Sequence, residues 1–306
     1  MIFILAKLFL LDGHAIIHRA FHAIRPLKTS TGEPVNALFG FISMLINIWE
    51  IEQPEFLAVA FDRKGATFRQ QVNQAYKQNR AKTPTELIQQ IKRIYEFLRI
   101  LQVPIFSQKG LEADDLLATL ITQAQQALGL NMIIVSSDRD LLQLVNKHVA
   151  VHDLTGGYRK SVNFGPAQVQ AKFGFAPKYL PDYKGLAGDA SDNLSGVPGV
   201  GAKTATQLIQ QYGSLEEIYA HLGEVPASLQ TKLGQHRALA FQTKRLTTLV
   251  RNVPVDFVLD RCEFPNFAVA AVWEFFERLE FVSLKRRFQK VWENSQPAKV
   301  AQARLF

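Results

Sequence analysis

The stretch Leu111–Asp140, LEADDLLATLITQAQQALGLNMIIVSSDRD, decides the fold. Apolar residues after Asp115 recur at the spacing of one helical face, and Gly129 ends the pattern, so we predict a helix. The run MIIV that follows is short, continuously apolar and β-branched, which is typical of a buried strand. Three carboxylates therefore open a helix, and two more, on Asp138 and Asp140, follow a strand.

Two further apolar runs also end on an aspartate. LFLL at residues 8–11 leads into Asp12, and FLAVAF at 56–61 leads into Asp62. Helical patterns such as NALFGFISMLINIWEI at 36–51 separate the strands, and this alternation predicts an α/β fold with a mostly parallel, doubly wound sheet. In such sheets ligands bind beyond the carboxyl ends of the strands, where these aspartates fall.

Each of these carboxylates has an ordinary explanation on its own, because Asp and Glu cap helices and stabilise helix N-termini. Their number points to a further role. Close like charges raise one another's pKa and cost stability unless a cation is present. We therefore predict a divalent-metal site, and its candidate ligands are Asp12, Asp62, Glu112, Asp114, Asp115, Asp138 and Asp140.

The composition indicates a globular protein with a basic surface. The 306 residues are 47% apolar and carry a net charge of +8, which favours a polyanionic partner such as nucleic acid. The single cysteine, Cys262, excludes an internal disulfide framework and suits a reducing cytosol. Lys7 interrupts the apolar start MIFILAKLFLL, so we predict a buried strand there rather than a signal peptide, and no run is long enough to span a membrane.

Residues 63–93 form a basic segment in which Glu86 is the one acidic residue. Phe68 and Tyr76 are interleaved among its bases, and such a mixture can follow a phosphate backbone and stack on unpaired bases. A solvated basic helix is the ordinary interpretation. The position directly after Asp62 favours a helical, mobile segment that grips substrate above the carboxylates and ends near Thr83-Pro84, with a new helix from Thr85 to Leu101. Its basic residues are Arg63, Lys64, Arg69, Lys77, Arg80, Lys82, Lys92 and Arg93.

A second carboxylate pair, Asp189 and Asp192, lies in GDASDN and directly precedes the glycine-bracketed run GVPGVG at 196–201. Lys203 and the helical pattern KTATQLIQQYG follow. A glycine hairpin that opens a helix presents backbone N–H groups to a phosphate. The ordinary alternative is a plain loop between helices, but the pattern resembles a helix-hairpin-helix motif that binds the DNA backbone.

Seven motifs together resemble the bacterial 5′→3′ exonuclease family, which comprises the N-terminal nuclease domain of DNA polymerase I and stand-alone relatives akin to flap endonucleases. They run in the family's order from about Leu8 to Phe288. The motifs are LLDGHAIIHRAFHA, EPVNALFGFISML, AFDRKGATFR, YKQNR, LEADDLLATL, SSDRDLLQLV and GDASDNLSGVPGVGAKTA.

The resemblance implies a phosphodiesterase with two Mg²⁺ or Mn²⁺ ions that cuts DNA at 5′ flaps, nicks and single-stranded 5′ ends, and RNA primer–DNA hybrids. Asp12, Asp62, Glu112 and Asp114 would hold the first ion; Asp138, Asp140 and Asp192 would hold the second, with Asp115 and Asp189 acting directly or through water. Lys77 and Arg80 would act on the scissile phosphate, and Tyr76 would stack near the terminal base. The remaining expected DNA contacts are Arg19, Arg69, Gly196, Val197, Gly199, Val200, Gly201 and Lys203, with K⁺ at the hairpin 196–201.

The resemblance also implies an organisation of the chain. We expect a core similar to PIN and flap nucleases over 1–175, with the helical arch at about 63–93. A helical helix-hairpin-helix region would cover 176–290, packed on the core, and a polar tail 291–306. The sequence ends at residue 306, so a separate DNA polymerase is the expected functional partner of a cytoplasmic, nucleoid-associated monomer.

Two departures and three alternatives accompany this assignment. Ser195 stands where the family commonly has Pro, and the first half dozen residues precede the usual family start. A PIN-type metal-dependent ribonuclease would be shorter and would lack the glycine hairpin and long basic segment. A non-catalytic protein that binds branched DNA would lack a ligand, whereas all nine acidic positions match. A phosphatase would leave the basic segment unexplained.

Overall fold

The computed structural model describes residues 6–80, 83–127, 129–158 and 161–295. Its centre is one six-stranded sheet in the order β3-β2-β1-β4-β5-β6, in which only the β5–β6 pair is antiparallel. The mostly parallel sheet is therefore confirmed. The strands are β1 Ala6–Asp12, β2 Phe56–Ala60, β3 Ile105–Phe106, β4 Leu130–Ser136, β5 Val149–Asp153 and β6 Val162–Phe164.

Helices surround this sheet, and the C-terminal part of the chain after β6 is helical throughout its regular elements. The helices of the first half are α1 Gly13–Ala23, α2 Asn36–Glu52, α3 Phe68–Val72, α4 Thr85–Ile100 and α5 Ala113–Ala124. Those of the second half are α6 Pro166–Phe173, α7 Leu180–Ala187, α8 Ala202–Tyr212, α9 Leu215–Ala220, α10 Ala227–Gln235, α11 Arg237–Thr247, α12 Val269–Arg278 and α13 Val282–Asn294.

The central strands are buried on both faces, because their side chains alternate between two cores. Leu8 and Leu10 of β1 pack in one core with α5 and the helices α7 to α11. Phe9 and Leu11 pack in the other with α1, α2, α4, α12 and α13. The chain thus returns at its C-terminal end to cover the face opposite α5, and the doubly wound arrangement follows from continuous apolar strands.

The basic segment 63–93 is helical only in part, while the break expected near Thr83-Pro84 and the new helix from Thr85 are confirmed. Its helical residues are the short α3 and the start of α4, and residues 73–80 form turns. Pro84 precedes α4 and lacks the N–H that would continue a helix through it. A 3₁₀ helix, Arg139–Leu144, follows Asp138.

The chain ends of the expected organisation fall partly outside the described residues. The structure does not describe residues 1–5 of the apolar start, 81–82 of the basic segment or 296–306 of the expected tail. Helix α13 extends past residue 290 to Asn294, and Val291 is buried in the core.

The buried side-chain amide of Gln90 connects α4 to α2 through hydrogen bonds. The Gln90 side-chain oxygen accepts hydrogen bonds from the N–H groups of Ala37 (2.7 Å) and Leu38 (3.2 Å), and its amide donates to Asn36 Oδ1 at 3.0 Å. Gln90→Ala should lower the free energy of unfolding by about 1–3 kcal/mol, because it leaves buried polar groups without hydrogen-bond partners. Chemical denaturation measures this. Gln89→Ala, on the exposed neighbour, is the control, and an equal loss in both variants would contradict the prediction.

Candidate metal centre and nucleic-acid interface

The carboxyl ends of β1, β2 and β4 form the floor of the site. Asp12 is the last residue of β1 and pairs in register with Ala60 of β2, so Asp62 follows two residues beyond the neighbouring strand. On the other side, the Ser136 hydroxyl donates to Asp12 Oδ2 at 2.7 Å and accepts from the Asp138 N–H at 2.9 Å. Parallel pairing therefore places these three aspartates along one edge, as expected from the sequence.

Helix α5 brings the carboxylates of the EADD motif to the same edge. Glu112 is its N-cap residue, and Asp114 and Asp115 lie in its first turn, where negative charge is favourable. Asp62 Oδ1 accepts the N–H of Ala113 at 2.8 Å. This hydrogen bond satisfies a free helix donor and fixes the helix start against the end of β2.

A third group comes from the C-terminal part. Single carboxylate oxygens of Asp140, Asp189 and Asp192 all lie within 4.8 Å of one another, and the three side chains are buried. Lys184 of α7 pairs with Asp140 and, at 2.5 Å, with Asp189. Burial would raise the pKa of Asp189, but Lys184 and the hydrogen bonds from Ser191 hold it below its usual value.

Electrostatics show that this centre is short of positive charge. Burial raises the pKa of Asp12 to about 7, although the Ser136 and Ala15 hydrogen bonds oppose the rise. Burial, followed by the charges of Asp138 and Asp12, raises the pKa of Asp114 well above its ordinary value, and burial also raises that of Asp138. Buried carboxyls that resist ionisation in this way fit a hard divalent cation with oxygen ligands, such as Mg²⁺ or Mn²⁺.

The turn 73–80 covers the carboxylates with basic groups. Lys77 Nζ lies 3.0 Å from Glu112 Oε2 and 3.8 Å from Asp192 Oδ2. Arg80 donates to Asp192 Oδ1 at 2.6 Å, and the backbone N–H of Lys77 donates to the Asp192 carbonyl at 3.0 Å. Lys77 has a positive φ of 57°, so the turn holds a residue in a conformation that is uncommon without glycine.

Two residues expected to contact DNA lie in the interior instead. Arg69 is 1% exposed and Tyr76 is 3% exposed. The Tyr76 hydroxyl lies 3.1 Å from Glu112 Oε2 and 3.0 Å from Asp192 Oδ2, so its single proton is shared between the two carboxylates. Its ring is therefore not free to stack on a base in this structure, because the hydroxyl satisfies buried carboxylates.

The glycine hairpin 196–201 is anchored by its valines. Val197 and Val200 are buried, and the Val197 N–H donates to the Leu186 carbonyl at 2.8 Å. The Val200 N–H donates to the Val197 carbonyl at 2.9 Å. Both residues were expected to bind DNA, but their side chains and N–H groups make contacts within the protein. A Cβ at Gly196 would lie 2.3 Å from the backbone of Leu186 and Gly188, so only glycine fits there.

The exposed part of the hairpin faces solvent at the start of α8. Gly199, Gly201 and Lys203 are exposed, and Gly201 is the N-cap residue of α8. Arg19, expected to contact DNA, lies on α1 and donates to the Thr155 carbonyl at 2.8 Å. Free N–H groups and lysines at a helix start suit a phosphate.

Three side chains at the centre were not identified from the sequence. They are Lys184, Ser136 and His14, whose Nδ1 accepts the Asp62 N–H at 3.0 Å. Ser136 could have been found from its place two residues before Asp138 at a strand end. Lys184 gave no such signal, because its role depends on the packing of α7 against the 3₁₀ helix.

Comparison with known families assigns the chain. A family profile described as the 5′-3′ exonuclease, N-terminal resolvase-like domain, matches residues 7–174, and one described as the 5′-3′ exonuclease, C-terminal SAM fold, matches 175–269. The chain belongs to the 5′–3′ exonuclease family. The family predicted from the seven motifs is confirmed, and with it the class of enzyme.

Curated relatives agree with this assignment. DNA polymerase I of Caldicellulosiruptor bescii is 38% identical over 283 residues, which are 92% of this chain and 33% of that protein. DNA polymerase I of Mycobacterium tuberculosis is 40% identical over 282 residues, 92% of this chain and 31% of that protein. The chain therefore spans about a third of the length of these relatives.

Solved structures share the fold at low identity. A bacteriophage T5 flap endonuclease, in a pseudo-enzyme-product complex with DNA and metal ions, has a TM-score of 0.65 at 19% identity and covers 94% of this chain and 98% of its own. T5 5′-exonuclease with bound zinc has a TM-score of 0.67 at 21% identity, covering 80% and 90%. The Rad2 catalytic core with DNA substrate reaches 0.61 at 15% identity, covering 95% and 92%. The predicted flap-nuclease-like fold is confirmed.

Within the described residues, no helix is long and apolar enough to cross a bilayer.

The raised carboxyl pKa values predict a pH dependence that a divalent ion reverses. Between the unfolded pKa of 3.8 and about 7, folded Asp12 binds more protons than unfolded Asp12. Without metal, stability should therefore fall as pH rises through this window, by up to about 1.4 kcal/mol per pH unit for such a group. Mg²⁺ requires ionised carboxylates, so its stabilisation should grow with pH.

Thermal unfolding in chelator and in Mg²⁺, at about pH 5.5 and about pH 7.5, measures both effects. In Asp12→Asn the pH dependence of the chelated protein should be smaller, because the residue no longer titrates. An equal Mg²⁺ effect at both pH values would contradict the prediction.

Proposed function

We propose that this chain hydrolyses DNA phosphodiester bonds as a 5′→3′ exonuclease and a 5′-flap endonuclease that depends on two divalent ions. The observation that carries the proposal is the meeting of carboxylates from three strand ends, the start of α5 and the loop 189–194 beneath the basic turn 73–80. The family assignment supports the reaction class, and the geometry supports the metal dependence.

Nine carboxylates are the proposed metal ligands, directly or through water. Asp12, Asp62, Glu112 and Asp114 would hold one ion, and Asp138, Asp140 and Asp192 the other, with Asp115 and Asp189 adjacent. When bound, the ions supply an activated water and stabilise charge on the attacking and leaving oxygens. Ser136 and Asp62 hold the surrounding backbone and side chains in place through the hydrogen bonds described above.

Lys77 and Arg80 would stabilise the phosphate during the reaction. Both cations contact carboxylates of the centre, so a phosphate bound to ions held by those carboxylates would lie within their reach. A preorganised cation aimed at developing charge lowers the reaction barrier. The exposed residues of the hairpin 196–201, Lys203 and Arg19 would bind the backbone of the duplex, with K⁺ at the hairpin.

The proposed substrates are DNA with 5′ flaps, nicks or single-stranded 5′ ends, and RNA primer–DNA hybrids. Support comes from the T5 flap endonuclease and the Rad2 core, whose structures contain DNA. The chain would act as a monomer in the cytoplasm, associated with the nucleoid. Its recognition would depend on shape and free ends, because phosphate contacts carry no base sequence.

A panel of labelled substrates tests the proposal: a 5′ flap, a 3′ flap, a nicked duplex, a single strand and an RNA–DNA hybrid. We expect Mg²⁺-dependent cleavage of the 5′ flap and nick, and no cleavage of the 3′ flap. Cleavage restricted to RNA would instead indicate a PIN-type ribonuclease. Binding to the flap without cleavage would indicate a non-catalytic DNA-binding protein.

Asp138→Asn tests the metal assignment. The variant should reduce kcat by about 10²-fold or more and leave flap binding in Ca²⁺ largely intact, because the lost group acts on metal rather than on DNA. Asp153→Asn is a matched control. Asp153 ends the neighbouring strand β5, and its side chain accepts a hydrogen bond from the Thr155 N–H, which an Asn side-chain oxygen can also accept. Wild-type turnover by Asp138→Asn with Mg²⁺ would show that the assignment is wrong.

Lys77→Ala tests the catalytic role of the basic turn. Single-turnover cleavage should slow by about 10- to 1,000-fold while the Kd for a 5′ flap changes by less than about 10-fold, because the lost charge acts mainly in the transition state. Lys64→Ala, an exposed lysine of the same segment, is the control. An unchanged single-turnover rate would reject the role of Lys77.

A further inference from the structure

Asp115 has its carboxylate fully engaged by protein donors. Oδ2 accepts from Arg69 at 2.6 Å and, in a long contact of 3.5 Å, from the Glu112 N–H. Oδ1 accepts from Arg69 at 2.8 Å and from the Val250 N–H at 2.9 Å. A carboxylate has about four lone-pair positions, so these four donors leave none directed at the other carboxylates. The side chain is also 0% exposed.

Arg69 is saturated in the same way. Its guanidinium has five N–H donors, and it makes five contacts. Nε donates to the Leu246 carbonyl at 2.7 Å, and a terminal nitrogen donates to the Thr248 carbonyl at 3.3 Å. Two contacts reach Asp115 and one reaches Glu112 Oε2 at 3.3 Å. A planar fork with every donor used cannot also bind a DNA phosphate.

The pair connects three parts of the chain that meet at the centre. Arg69 belongs to α3, at the base of the basic turn, and Asp115 belongs to the first turn of α5. The carbonyls of Leu246 and Thr248 lie at the end of α11, in the C-terminal region. Glu112, a proposed metal ligand, thus accepts from the same guanidinium that fixes these three parts relative to one another.

From this geometry we infer that Arg69 and Asp115 form a positioning pair that orients the Glu112 carboxylate, and that Asp115 holds no divalent ion. The inference rests on the proposed function and changes one of its assignments, because Asp115 leaves the set of metal ligands. Arg69, which the sequence led us to expect at the DNA, instead belongs to this pair. Groups that orient metal ligands typically change metal affinity by about 10- to 100-fold when they are lost.

Mn²⁺ binding to the full chain without DNA, measured by titration calorimetry, tests the pair apart from catalysis. Asp115→Asn and Arg69→Gln should each keep the wild-type number of bound ions and weaken their affinity by a similar factor, about 10- to 100-fold. The double variant should be no weaker than either single variant, because the pair acts as a unit. Asp114→Asn, which removes a proposed ligand, should lose an ion.

Each outcome decides the inference. Loss of an ion in Asp115→Asn but not in Arg69→Gln would make Asp115 a ligand and overturn it. Independent, multiplicative losses in the double variant, or wild-type affinity in both single variants, would also overturn it. If Arg69→Gln fails to fold, Arg69→Lys, which keeps the charge but not the fork, should show the weaker affinity with unchanged stoichiometry. A wild-type protein that binds Mn²⁺ but cleaves no DNA would refute the proposed function and leave the pair testable.

Discussion

The burial of several carboxylates at one place is the constraint on which the rest of this structure depends. Burial, together with the charges of neighbouring carboxylates, raises the pKa of Asp12, Asp114 and Asp138. A protein can tolerate such a group only if cations surround it. In this chain the cations come from three directions: Arg69 at the base of α3, Lys77 and Arg80 in the turn above, and Lys184 of α7. A divalent ion would complete this compensation.

The same requirement explains how the two halves of the chain are joined. Asn193 donates to the Ala75 carbonyl at 2.8 Å, and Asn79 donates to the Ala190 carbonyl at 3.2 Å. The basic turn is therefore held on the loop that carries Asp189 and Asp192. Neither half contains the complete centre, because the strand ends and the start of α5 supply part of the carboxylates and the loop 189–194 supplies the rest. The site and the packing of the halves are consequently one structural feature.

Local patterns predicted those parts of the fold that local forces decide. Apolar runs at 8–11, 56–61 and 132–135 became β1, β2 and β4 because a strand buried on both faces needs continuous apolar residues. The basic segment was predicted less well before Pro84, because charge alone does not specify a helix, and residues 73–80 form turns. The pairing of Arg69 with Asp115, 46 residues apart, could not be predicted, since it arises only when α3 packs against α5.

The central claim is that carboxylates from both halves hold divalent ions at the carboxyl edge of the sheet. The most direct measurement is anomalous scattering from crystals of the chain grown with Mn²⁺. The account predicts two peaks, each within about 2.5 Å of carboxylate oxygens from the proposed ligands, with Asp115 coordinating neither. Peaks elsewhere on the surface, or an ordered carboxylate edge without any peak at saturating Mn²⁺, would contradict it.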